Sequence, residues 1–127
     1  MIAHTVLFRP RPDLTKQDVD DLITAFQHAL QNIDEIRHAS VGRRVRIGRD
    51  YEHMMVQDFP FAAILEFDDT AALHRYLEHP SHAAIGARVF ASAEAILVYD
   101  YEMGHGAEGL TTIAAQDRKS TRLNSSH

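Results

Sequence analysis

Three segments of this chain are apolar without a break: Val6-Leu7-Phe8, Ala62-Ala63-Ile64-Leu65 and Ile96-Leu97-Val98-Tyr99. A strand with one face on a core and the other in water alternates apolar and polar residues. These runs do not alternate, so the sheet they form needs cover on both faces. At 127 residues the chain has room for one domain, and its helical periodicity covers one face only. The second face is expected to pack against the sheet of an identical chain, as a homodimer. With 45% apolar and 24% charged residues, the composition is that of a globular domain and excludes a wholly disordered one.

The order of the elements narrows the fold. Residues 2–8 predict a first strand, with Ile2, His4, Val6 and Phe8 on one face. Pro10 and Pro12 end it. Thr15 reads as a helix N-cap, with Asp18 three residues on and Asp20 and Asp21 adding negative charge to the first turn. Val19, Leu22, Ile23, Phe26, Leu30 and Ile33 then recur at helical spacing, which predicts an amphipathic helix over 16–33. A strand over 36–47, a loop over 48–60 and a strand over 61–67 follow. Asp68 or Asp69 caps a short helix to about Glu78, Pro80 interrupts it, and a further helix is expected over 81–93. The last strand is 95–101. This β-α-β-β-α-β order is the ferredoxin-like split βαβ arrangement, an α+β sandwich of one sheet and its helices.

Several classes of protein are excluded. There is no cysteine, hence no disulfide scaffold, thiolate metal site or cysteine nucleophile. The apolar runs fall far short of the roughly 20 residues a membrane span needs, and Met1-Ile-Ala-His-Thr5 lacks the pattern of a signal peptide, so a cytoplasmic protein is expected. Net charge is −5 with no lysine cluster, so nucleic acid is not an expected partner. No phosphate-binding Gly-rich loop, G-x-S-x-G elbow or His-Glu-x-x-His pair occurs; neither a cofactor nor a metal is expected.

The end of the chain is different in kind. The eleven residues from Asp117 to His127 are those given by one in-frame reading of a string resembling a widely used short-read sequencing adapter. They hold one of the two lysines and no apolar periodicity. We expect residues 117–127 to be non-native, residues 103–116 to form a flexible tail with Gly104, Gly106 and Gly109, and residues 1–102 to be the domain. The segment carries +2, so taking it off the total of −5 leaves −7 for the rest.

Three further strings carry a resemblance. His4-Thr-Val6-Leu-Phe8 on the first strand, Tyr76-Leu-Glu-His79-Pro80-Ser-His82 at the helix break and Ile96-Leu-Val-Tyr99-Asp-Tyr101 on the last strand resemble the stress-responsive α/β-barrel (Dabb) family. The resemblance implies ferredoxin-like chains that pair into a dimeric α/β barrel. A plant polyketide cyclase of that family closes its substrate by an intramolecular aldol step, using a tyrosine and a histidine that match Tyr76 and His82. A first-strand histidine matching His4 lines its pocket. Leu22, Ile23 and Phe26 stand where that enzyme has an aromatic cluster, and Ala93 where it has a tryptophan, which counts against a pocket for a long acyl chain.

Residue spacing points to the same group of side chains. Tyr76 follows Leu73 by one helical turn, and His82 shares a face with Ile85 and Val89, so both look inward. His4 lies on the Val6 and Phe8 face. A phenol donor beside a near-neutral imidazole suits proton abstraction next to a carbonyl. Tyr76 and His82 are the candidate catalytic residues; His4, Val6, Phe8, Leu22, Ile23, Phe26 and Ile85 are the candidate substrate-binding ones. The plain alternative is that Tyr76 and His82 satisfy each other inside a filled core. At the level of function, the alternatives are a non-catalytic stress or assembly protein and a cofactor-independent monooxygenase-like relative. His79 reads as a turn or cap residue, and Glu66 and Asp100 as solvent-facing or interface-rim charges.

Overall fold

A computed structural model describes the backbone of residues 1–125 and the side chains of residues 1–115. The elements run β1 (Ile2–Pro10), α1 (Lys16–Asn32), β2 (His38–Arg43), α2 (Asp50–Met54), β3 (Phe61–Phe67), α3 (Thr70–Glu78), α4 (Pro80–Ser92), β4 (Ala93–Glu102) and α5 (Gly106–Ser125). Local signals in the sequence account for the helix starts. The Thr15 side chain accepts from the Asp18 N–H while the Asp18 carboxylate accepts from the Thr15 N–H, a reciprocal capping box. Asp69 caps α3 by accepting from the Ala72 N–H at 2.8 Å. His79 ends α3 and begins α4, its Nδ1 accepting from the Ser81 N–H at 3.0 Å. Pro80 takes the first position of α4, where its missing N–H costs nothing.

The four strands form one antiparallel sheet in the order β2-β3-β1-β4, the ferredoxin-like topology expected. Register decides what each face shows. His4 lies between Leu65 and Asp100, Val6 between Ala63 and Val98, and Phe8 between Phe61 and Ile96. These three rungs share the face that looks at the helices. Beside them, Ile2, Leu65 and Phe67 pack with Ala29, Ile33, Leu73 and Tyr76 as the core. The opposite face carries Ile64, Tyr99 and Tyr101, all exposed within the single chain. Among the described residues no helix is long and apolar enough to cross a membrane.

Three expectations are corrected. The second strand stops at Arg43, because Arg44 and Arg46 turn to bind the Asp58 carboxylate across the following loop. That loop is not wholly irregular: Glu52 accepts from the Ile47 N–H and nucleates the single turn α2. The tail is not loose over its whole length, since α5 spans Gly106–Ser125. Its Leu110 and Ile113 are exposed, and Glu108 places a negative charge in its first turn.

Candidate functional site

Between the sheet and the helices lies a cavity of about 540 Å³. The three sheet rungs form its floor, with His4, Val6 and Phe8 at the centre. Helix α1 contributes Leu22, Ile23 and Phe26; Tyr76 comes from α3, and His82 and Ile85 from α4. All nine residues picked out from the sequence therefore border one space. The break at His79-Pro80 is what allows it, because α3 ends and α4 restarts there, and the His82 ring meets the Tyr76 ring edge-on, centroids 4.7 Å apart. Tyr76 in turn touches His4 edge-on at 5.7 Å and Phe67 at 4.9 Å.

The polar groups are arranged in a definite way. His4 Nδ1 lies 2.5 Å from Asp100 Oδ1, so the ring donates to the carboxylate and its other nitrogen is free of that bond. Asp100 sits directly opposite His4 in the β1–β4 pairing. Tyr76 and His82 make no hydrogen bond to each other among the described residues; they meet by ring packing alone. The Tyr76 hydroxyl is not sealed off without a partner either, and its ring borders the cavity. Neither direct mutual satisfaction in a filled core nor a direct Tyr76–His82 hydrogen bond describes the arrangement.

Burial sets the charge state of both rings. Tyr76 is pushed up to about 12, by desolvation first and by the Asp100 carboxylate second. His82 is held below the ordinary histidine value, by desolvation first and by His4 second, with the Leu77 backbone working the other way. Near neutral pH the cavity thus presents a protonated phenol and a neutral imidazole.

Asp100 is exposed, as expected of a solvent-facing or rim charge, with 42% of its side chain open, but its bond to His4 was not foreseen from the sequence. The signal was present in the parity of the last strand, where Ile96, Val98 and Asp100 share a face. Pairing register, which no single strand specifies, was needed to put that face against His4. The cavity lining supplied by β3, Phe61, Ala63 and Leu65, and by Phe90 of α4 also came only from the structure. Among the described residues no cluster of three or more potential metal ligands forms.

A family model described as the stress responsive A/B barrel domain, Dabb, matches residues 2–103. The chain belongs to the Dabb family. Among solved structures, a Dabb protein with a ferredoxin-like fold from Mesorhizobium loti is similar at 27% identity and a TM-score of 0.61, covering 81% of this chain and 97% of its own. A dimeric ferredoxin-like protein from Thermobifida fusca is similar at 22% identity and a TM-score of 0.63, covering 80% and 90%. A hydroxynitrile lyase from Passiflora edulis is similar at 17% identity and a TM-score of 0.69, covering 83% and 94%. Among curated proteins none matches the chain. The Dabb match ends one residue past β4, so the cavity lies wholly within it.

Proposed function

We propose that this Dabb protein is a small-molecule enzyme whose cavity performs acid/base chemistry next to a carbonyl group. The observation that carries the reading is the convergence of the Tyr76 and His82 rings and the Asp100-bound His4 on one cavity of about 540 Å³. Neutral His82 takes a proton from the carbon beside the carbonyl. The electrons of that C–H bond form the enolate, whose oxygen is held by the Tyr76 hydroxyl. Tyr76 donates without ionising because burial keeps its proton on. Asp100 is a positioning residue, fixing the tautomer and direction of His4 at the floor. The enolate then reprotonates or attacks a second carbonyl, an aldol-type closure. The hydroxynitrile lyase among the structural neighbours is an enzyme on the same fold; the chemistry proposed here rests on the cavity's own residues.

The chain acts as a homodimer through its open sheet face. Ile64, Tyr99 and Tyr101 leave that face too apolar for water, and the Thermobifida fusca neighbour is described as dimeric.

Deuterium uptake at the carbon next to the carbonyl of a straight-chain 2-alkanone, followed by NMR, tests the reaction. The wild-type chain is expected to speed the exchange. Tyr76→Phe keeps the ring's packing and should lower the rate about 100- to 1,000-fold. His82→Ala should abolish it while circular dichroism stays that of the folded protein. Exchange no faster than buffer, or variants that keep the wild-type rate, would overturn the reading.

A further inference from the structure

Helix α4 carries a glycine in its interior, Gly86, midway between Pro80 and Ser92. A glycine there keeps backbone freedom in the unfolded chain that an alanine would not, and it weakens folding about fivefold relative to alanine. The helix uses alanine freely at positions 83, 84 and 87, so the glycine stands out against its own surroundings.

Two structural demands commonly require a glycine, and neither applies. The first is a left-handed backbone. Among the described residues positive φ occurs at Gly48 and Gly106, not at Gly86. The second is the close approach of another part of the chain. Gly104 and Gly109 show that case, since a Cβ on either would lie within 2.9 Å of the other's backbone. A Cβ on Gly86 would meet no packed neighbour within 4 Å. An alanine would therefore fit without displacing anything.

What a side chain would take is space in the cavity. His82, Ile85, Val89 and Phe90 of α4 border it, and Gly86 borders it with them. At roughly 100° per residue these five positions span an arc of about 140°, and Gly86 falls inside that arc. It stands one turn beyond His82, where a Cβ would be about 5–6 Å from that of the histidine. A slender chain could pass an alanine at this point. A ligand that is broad beside His82 could not, and the bare backbone suits it.

We propose that Gly86 is a specificity-determining residue of the cavity, its missing side chain admitting ligands that are branched next to the group lying at His82. The inference rests on the reading of the cavity as a ligand site and is independent of the proton transfer.

Two isomeric ketones that differ only in branching test it on the full chain: tert-butyl methyl ketone and butyl methyl ketone, titrated by NMR against wild type and Gly86→Ala. The alanine variant should bind the branched isomer about tenfold more weakly and keep its affinity for the unbranched one within about twofold. It should also melt about 4 °C higher, because the helix gains a better former and loses no contact. A lower melting temperature would show that the fold itself requires the glycine, and would overturn the proposal. So would equal effects on the two isomers, unchanged binding of both, or a wild-type chain that binds neither. Loss confined to the branched isomer, with no deuterium exchange into either ketone, would sink the acid/base reading and leave the role of Gly86 standing. Exchange that Gly86→Ala leaves unaltered for both isomers, together with unaltered binding, would do the reverse.

Discussion

Burial moves Tyr76 up and His82 down, and both shifts favour the neutral form. In the proposed reaction the pair would therefore serve as donor and base over the same range of pH. The acid limb of the exchange rate should fall below 6.5, the ordinary value from which His82 is lowered. No basic limb from Tyr76 should appear until about pH 12. A pH–rate profile with 2-alkanone checks both, and an acid limb above 6.5 would count against His82 as the base. The same shift has a sign for stability. Unfolded His82 binds a proton more readily than folded His82, so its contribution is fully present above 6.5 and is lost as pH falls from there through the lowered folded value. Tyr76 and His82 were legible as inward residues from helical spacing alone. Asp100 was not, because its role depends on which residue of β1 stands opposite it.

The break between α3 and α4 is the element on which the site depends. In one continuous helix Tyr76 and His82, six residues apart, would point about 120° away from each other at roughly 100° per residue. Ending α3 at His79 and restarting with Pro80 brings the two rings to 4.7 Å. His79 holds the restart through its Nδ1 and the Ser81 N–H. His79→Ala should cost about 1 kcal/mol, the usual loss of an N-cap, whereas His79→Asn should retain most of the stability. Thermal melts of the two variants check this, and equal melting temperatures would show that the cap is not supporting the junction. Pro80 made the break readable from sequence. By contrast, the short turn α2 escaped the reading, since it rests on the Glu52 carboxylate reaching back to the Ile47 N–H.

At the scale of the whole molecule, the sheet separates two apolar environments, the cavity on one side and the face bearing Ile64, Tyr99 and Tyr101 on the other. We expect light scattering at micromolar concentration to give twice the chain mass, with an interface on the order of 1,000 Å² or more. A chain ending at Gln116 should give the dimer and nearly the same melting temperature, because we take residues 117–127 to be non-native; a monomer mass, or a drop of many degrees on truncation, would contradict these expectations. The sequence by itself determined the element order, the helix caps, the Pro80 break and the demand for cover on both sheet faces. Those features arise from interactions within a few residues or from the two- and 3.6-residue periods of strand and helix. Only the tertiary structure decided that Asp100 meets His4, that β3 completes the floor, and that the space above it stays open. Register and cavity volume belong to pairs of elements distant in the chain, and a one-residue slip in pairing would have turned either strand's residues to the other face.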